Sequence, residues 1–566
     1  MAMSPTDKTE NTDETETGNE PGETRAPGNR SPRPVLGRFP VVALVAAFIL
    51  AFHNMTFWQK LWDYSGGRPL FAAATALALF ALMAGALSLV ALPRLFKPVA
   101  IAAILIAAAS SWFVDRFGVL IDRSMLASAL ETTRGEAAEL MTVPFFVHMA
   151  LTGLLPAVLL AWVRIKAPPL RRALPQNIGA ALVAVLVAGA VVLPSYGGYA
   201  SLFRAHRDLA RSLHPSAPVS AATKLVKRHF KGGSAGPLQP VAVDARQKPA
   251  VGGKRRPHLT VLVVGETARA ESFSLNGYGR ETNPGLKARN VLSFTNASSC
   301  GTATETSVPC MFSLLGRAAY AASVASHTEN ILDVLKRAGL QLAWFDNNTG
   351  SKHQADRIPY FHLAGSGDGP YCGEEGCFDE ILVEKMADFM KTMPEKDTLI
   401  VLHQLGSHGP AYWRRVPDRY KRFLPECRSS DLDTCSREEI VNAYDNTILY
   451  TDHVLSRLVD FLHSQESRFD TAMIYVSDHG ESTGENGVYL HGLPYLLAPE
   501  SQTHIPLLVW LSKGYAESRA IDLGCMRNQT KKAVSHDNLF HSLLEIERVD
   551  TADYDSGLDM FEECHG

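Results

Sequence analysis

The sequence predicts two architectures in one chain: a transmembrane unit of five α-helices, then an α/β domain built on a mainly parallel sheet. Three observations predict it. Five apolar stretches, each near the ~20 residues a spanning helix needs, crowd the chain before residue 200. After residue 258, apolar runs without clean alternation, the mark of strands buried on both faces, recur between helical patterns. All eight cysteines fall in this second half, at 300, 310, 372, 377, 427, 435, 525 and 564.

The 566 residues are 46% hydrophobic and 20% charged, too long for one typical domain and too apolar in the first third for a soluble protein. A net charge of -3, with no basic run longer than Lys254-Arg255-Arg256, leaves no electrostatic footprint for nucleic acid. Residues 1–38 read as a disordered cytoplasmic tail, since 1–34 are almost wholly polar. No A-x-A-like cleavage site follows, so the first apolar stretch is an uncleaved anchor.

The transmembrane unit, 39–198, holds spans at about 39–58, 69–92, 97–114, 145–163 and 178–196. Arg25, Arg30, Arg33 and Arg38 precede the first span. Arg94 and Lys97 join the second to the third, and Arg164, Lys166, Arg171 and Arg172 the fourth to the fifth. The positive-inside rule makes these segments cytoplasmic and everything after about residue 197 outward. The outward segment 115–142 carries Met125, Leu126, Ala129 and Leu130 at helical spacing, so it lies on the membrane surface or serves as a solvated connector.

An even cysteine count confined to an exported domain suggests disulfides. Pairs 300 with 310, 372 with 377 and 427 with 435 close short loops, leaving 525 with 564 by elimination; spacing does not prove the connectivity.

A linker, 199–257, with a helical candidate at 200–213, leads into the outward domain, 258–566. Strands are expected at 259–264, 340–345, 398–402, 472–476 and 505–510, and helices at 328–338, 378–391, 436–464 and 536–546. In such sheets ligands gather at the carboxyl ends of strands. Glu266 follows the first run, Asp346 and Asn347 the second, His403 the third, and Asp478 and His479 the fourth. Carboxylate, imidazole and hydroxyl are zinc-ligand chemistry, and a threonine held on zinc can attack phosphorus.

That threonine is Thr304, at a helix start where backbone N–H groups favour an alkoxide and a phosphate. Thr302, Thr304, Thr306 and Ser307 also fit plain capping hydroxyls; a Cys300–Cys310 brace on the loop favours function. His408 and His491 sit in Gly-rich contexts as phosphate donors, general acid or base, or ligands of a second zinc.

With Gly265 through Arg269, Ser274 through Tyr278, Thr282-Asn283-Pro284, Cys300 through Phe312, Asn442 through Asn446 and Ser477 through Gly492, the chain resembles the phosphoethanolamine transferases that modify lipid A, the family of the mobile colistin-resistance enzymes. The similarity runs from about residue 39 to the C-terminus.

The resemblance implies a multi-pass inner-membrane enzyme, expected as a monomer, with a periplasmic alkaline-phosphatase/sulfatase-like domain. It implies a zinc site of Glu266, Thr304, Asp478 and His479, and Thr304 as the nucleophile toward phosphatidylethanolamine. His408 and His491 would assist transfer to a lipid A phosphate, and Lys352, His403 and Asn54 would serve substrate binding, with 121–139 near the lipid donor. Polymyxin resistance would follow from masking a phosphate charge. Two departures stand out: Glu305 follows the nucleophile where a small residue is expected, and Cys372 and Cys377 are closer together than the family's pair.

A sulfatase would need a C-x-P-x-R segment, which neither Cys300 nor Cys310 starts. Transfer to core oligosaccharide, another glycan or a protein, or a membrane-anchored zinc phosphodiesterase, shares the first half-reaction. A glycerol-phosphate polymerase fits these motifs poorly. A transporter or receptor would need ionisable pairs inside the spans, and the spans lack them.

Overall fold

The computed structural model describes residues 33–131, 134–232, 237–248, 256–364, 369–373 and 376–565. Of the expected tail, positions 1–32, with Arg25 and Arg30, lie outside the described residues, as do 132 and 133 of the outward segment.

Helices α1 (Arg38–Phe52) and α2 (Met55–Tyr64) meet at a bend of 67°, so the apolar stretch 39–58 is not one straight span. The reason is in the sequence of α2, which buries Phe57 and Leu61 but carries Lys60 and Asp63; Lys60 pairs with Asp208 at 2.9 Å. Helices α3 (Pro69–Leu89) and α4 (Phe96–Phe117) are apolar and long enough to span a bilayer. Two short helices follow, α5 (Arg123–Glu131) and α6 (Arg134–Leu140), then α7 (Val143–Trp162) and α8 (Leu170–Arg204), also of spanning length. Counting the bent pair, five spans are present among the described residues, as expected. Gly85 of α3 lets α8 approach closely: a Cβ there would stand 2.7 Å from Ala184 Cβ.

The expected linker is substantially helical. Its start belongs to α8, a short helix covers Arg207–Arg211, and α9 (Ser216–Gly232) was not foreseen. Val219, Ala222 and Val226 recur there at helical spacing, and that stripe, itself exposed, borders a cavity.

The C-terminal domain carries an eight-stranded sheet: β1 (His258–Gly265), β2 (Leu292–Ser298), β3 (Gln341–Asp346), β4 (Tyr360–His362), β5 (Thr398–His403), β6 (Asp470–Ser477), β7 (His504–Leu511) and β8 (Val534–Ser535). Its order is β8-β2-β7-β6-β1-β5-β3-β4, antiparallel only where β7 pairs with β6 and β2. The five expected strands are present; β2, β4 and β8 are additional. Alternate residues of β1 enter different cores, Leu262 and Val264 on one face and Val261 and Val263 on the other. Every residue of β1, β5 and β6 is buried, which is why none alternates.

Helices α10 (Thr304–Met311), α11 (Ile331–Arg337), α12 (Glu380–Met390) and α13 (Arg437–Ser464) lie between the strands, and α14 (Asp537–Ile546) follows β8. A reciprocal Ser436–Glu439 capping box opens α13. All four expected disulfides are formed, Cys300–Cys310, Cys372–Cys377, Cys427–Cys435 and Cys525–Cys564. Arg116, at the end of α4, forms an ion pair with Asp433 in the loop closed by Cys427–Cys435, which seats this domain on the membrane helices.

Candidate active site and metal centre

Parallel pairing of β3, β5, β1 and β6 sends four strand ends to one edge, where Ser477 pairs with Gly265 and His403 with Val264 and Asp346. The next residues make the site. Thr304 Oγ1, on the first residue of α10, donates to Glu266 Oε2 at 3.0 Å and lies 3.4 Å from His479 Nε2. His479 Nε2 is 3.4 Å from Glu266 Oε1 and 3.3 Å from Asp478 Oδ2. Glu266, Asp478 and His479 are fully buried, with their ligand atoms within 4.8 Å of one another.

Local contacts orient each ligand. Asp478 Oδ1 accepts the amides of Thr267 (3.1 Å) and His479 (2.7 Å), leaving buried Oδ2 without a hydrogen-bond partner. His479 Nδ1 donates to the Gly480 carbonyl at 2.9 Å, so Nε2 keeps its lone pair for the site. Thr267 is held at φ +59°, an outlier for a β-branched residue, and its hydroxyl donates to Glu266 Oε1. Asn348 Nδ2 donates to Glu266 Oε2 at 2.8 Å. Gly406, at φ +54°, passes so close that a Cβ would stand 2.6 Å from the Glu266 carbonyl oxygen.

The nucleophile's loop is fixed separately. Cys300–Cys310 ties it to α10, and the Cys300 amide donates to His536 Nδ1 at 3.0 Å while His536 Nε2 donates to the Ser477 carbonyl at 2.9 Å. Burial pushes the His536 imidazole down to about 4, so it stays neutral in this bridge.

Burial opposes every charge at the centre. Even so, the imidazoles of His479, His408 and His491 hold the Glu266 carboxyl well below the usual range. Asp478, buried and facing the Glu266 charge, is pushed up. Burial pulls His479 down, but Asp478 and Glu266 outweigh it and raise it. Two carboxylates around one imidazole, with an orphaned oxygen, form a site that calls for a cation.

His408 and His491 complete a second group: their ring nitrogens and a Glu266 oxygen lie within 4.8 Å of one another. His491 Nδ1 donates to Glu481 Oε2 at 2.7 Å, and Tyr412 donates to the other Glu481 oxygen at 2.7 Å.

A cavity of about 900 Å³ opens onto Thr304, Glu305, Lys352, His408 and His491 at its polar end. Ile106 and Phe113 of α4, Met125 and Leu126 of α5, and Val219 and Val226 of α9 line its apolar remainder. Glu305, the unexpected acid after Thr304, lies in the first turn of α10, where the helix dipole favours it.

Two substrate-binding expectations change. His403 is wholly buried behind the site, its Nδ1 donating to Asp346 Oδ2 at 2.9 Å and its Nε2 3.3 Å from Asn348 Nδ2, so it supports the residue that supports Glu266. Asn54 is buried at the α1–α2 bend, bonded to the Ile49 carbonyl and the His214 backbone, because a helix break leaves backbone groups that a side-chain amide can satisfy. Asn347 turns away to Asp379 and the Cys377 carbonyl. Sequence reading gave no role to Thr267, Asn348, Gly406, Glu481 or His536; the first four lie within two residues of Glu266, Asn347, His408 and His479, and only His536 stands apart from every singled-out site position.

The model for phosphoethanolamine transferase EptA/EptB matches residues 79–230, and the sulfatase model matches 258–546. Phosphoethanolamine transferase EptA of Escherichia coli (strain K12) is 40% identical over 470 residues, 83% of this chain and 85% of that protein. Phosphatidylethanolamine transferase Mcr-1 of Escherichia coli is 37% identical over 534 residues, 91% of this chain and 95% of that protein. The integral membrane lipooligosaccharide phosphoethanolamine transferase A from Neisseria meningitidis superposes with a TM-score of 0.90 at 31% identity, over 94% of this chain and 99% of its own. Site geometry, fold and these likenesses agree: the chain belongs to the phosphoethanolamine transferase family, on a membrane-anchored sulfatase-like fold.

Proposed function

We propose that this protein moves phosphoethanolamine from phosphatidylethanolamine to a phosphate of lipid A through an ester on Thr304. The observation that carries the reading is the placement of the Thr304 hydroxyl between Glu266 and His479 at the polar end of an apolar, lipid-sized cavity. The relatives' names supply the transferred group, the phosphatidylethanolamine donor and a lipooligosaccharide acceptor.

The donor's acyl chains lie along α4, α5 and α9, bringing its phosphodiester to Thr304. Thr304 Oγ1 gives up its proton to an imidazole as it bonds to phosphorus, the bond from phosphorus to the glycerol oxygen breaks, and that oxygen takes up the proton and leaves as diacylglycerol. His408 and His491 border the same end of the cavity and exchange that proton. Lys352 faces the phosphate oxygens. In the second step an oxygen of a lipid A phosphate bonds to phosphorus, the bond to Thr304 Oγ1 breaks, and Thr304 takes up the proton that the acceptor phosphate gives up, which restores the hydroxyl. Splitting the transfer this way avoids bringing two bulky lipids together at once.

Glu266, Asp478, His479 and Thr304 would hold zinc, and the orphaned Asp478 Oδ2 and the free His479 Nε2 lone pair fit that role. Bound there, zinc supplies Lewis-acid charge that favours the threonine alkoxide and neutralises phosphate oxygens. Glu266, His408 and His491 would hold a second ion. The distribution of Lys and Arg supports an inner-membrane orientation with the N-terminus cytoplasmic and the catalytic domain periplasmic.

Mass spectrometry of lipid A from a Gram-negative host tests the reading. Native protein should add one phosphoethanolamine unit, and Thr304→Ala should add none. Unmodified lipid A with a zinc-loaded, membrane-inserted protein would move the acceptor to core sugars, protein or water.

A further inference from the structure

Three of the four histidines around the centre have an anchored ring: His479 on the Gly480 carbonyl, His403 on Asp346, and His491 on Glu481. His408 does not, for its Nδ1 is buried without a hydrogen-bond partner. Its imidazole is set by its contact with the His491 ring and by its backbone, whose amide donates to the Leu405 carbonyl at 3.3 Å and whose carbonyl is held by a residue that reaches across to the membrane half. Arg415, 7% exposed, donates from Nε to the His408 carbonyl at 2.9 Å and from Nη2 to Glu139 Oε2 at 2.6 Å. Glu139, 8% exposed, belongs to α6 and stands next to Leu140, which lines the cavity wall.

A buried ion pair is a poor way to gain stability, because desolvation consumes most of the attraction. It is a good way to fix geometry. The planar guanidinium serves two acceptors at once from one rigid fork, which a lysine ammonium on a flexible stem cannot reproduce.

We propose that Arg415 is a positioning residue that bridges Glu139 of α6 to the His408 carbonyl, so His408 is set for transfer only while α6 is docked. The proposal rests on the transfer reading above and deepens it: one contact closes the lipid cavity and completes the catalytic end. Catalytic geometry thus depends on a segment contributed by the membrane half of the chain.

The test uses the full chain in lipid nanodiscs with a fluorescent phosphatidylethanolamine, comparing native, Arg415→Lys, Glu139→Gln, His408→Ala and the Arg415→Lys/His408→Ala double variant. A misplaced group can cost about 100-fold, so Arg415→Lys should lose kcat on that order while the donor KM stays within about twofold. Zinc content and Tm should match the native protein. Glu139→Gln, whose amide oxygen still accepts from Arg415, should lose about tenfold in kcat. The double variant should be no slower than His408→Ala alone, since Arg415 acts through His408.

The proposal is overturned if Arg415→Lys keeps native kcat, if its loss is entirely in KM or zinc content, or if it slows the His408→Ala enzyme by its full single-variant factor. An inactive native protein would instead overturn the transfer reading.

Discussion

Asp478→Asn should raise the stability of the metal-free protein while lowering its activity, two effects of opposite sign from one atom. Asp478 Oδ1 is satisfied by two backbone amides, whereas Oδ2 is buried, lacks a hydrogen-bond partner and lies 3.3 Å from His479 Nε2. An orphaned buried acceptor costs about 1–3 kcal/mol, and more when charged. Asparagine keeps Oδ1 in place and puts an amide nitrogen where Oδ2 was, donating toward the His479 lone pair. In chelator the variant should therefore gain about 1–3 kcal/mol. At about 2–4 °C per kcal/mol for a large domain, Tm rises by several degrees. With zinc the order should invert, because an amide nitrogen is no ligand and a ligand that binds only the folded state stabilises in proportion to the logarithm of its concentration over Kd. Thermal unfolding of the full chain in detergent, with chelator and with zinc, reads both arms, and transfer assays read the activity. A metal-free variant less stable than the native protein, or equal zinc stabilisation of both, would refute the reasoning.

Gly406→Ala should cost more than about 1 kcal/mol from the left-handed φ alone. Its Cβ, 2.6 Å from the Glu266 carbonyl oxygen, also displaces a ligand, so zinc content and activity should fall together. Replacing Cys300 and Cys310 by serine opens a loop of sequence separation 10 and should lower unfolding free energy by roughly 2.7 kcal/mol in the chain-entropy picture, read from denaturant midpoints. His536 has a folded pKa of about 4 against 6.5 unfolded, so between those values the unfolded chain holds more protons and stability falls on acidification. The difference is worth up to roughly 3 kcal/mol, and His536→Asn should flatten that part of the stability–pH curve. An unchanged slope would remove His536 from the acid response.

The strands that carry ligands were legible because burial on both faces leaves a continuous apolar run, and in β1, β5 and β6 every residue is buried. The edge strands β4 and β8, of three and two residues, have no length in which a pattern could show. Ligand types were legible at Glu266, Asp478 and His479 because each directly follows a strand. His536 was not, since its role depends on meeting Cys300 and Ser477 across 236 and 59 positions of chain. His403 misled for a related reason: its place at a strand end marks proximity to the site, but only its contacts with Asp346 and Asn348 show that its ring is buried behind the residue that holds Glu266. The break at His53–Asn54 escaped because two polar residues inside an otherwise apolar stretch do not by themselves end a span, and the contact of Asn54 with His214 that holds the bend lies 160 positions away.

The division of the cavity between the two halves of the chain explains why neither half reads as complete. Apolar walls come mainly from α4, α5 and α9, and the polar end, with Thr304, His408 and His491, comes from the loops and helix start beyond the strands. Lipid binding and phosphorus chemistry thus meet only at the junction. Arg116 with Asp433 and Arg415 with Glu139 join the two halves by ion pairs at that junction. Ion pairs define orientation sharply yet add little net stability. A junction held by oriented ion pairs therefore fixes where the apolar cavity meets Thr304, which is the geometry a transfer from a phospholipid needs.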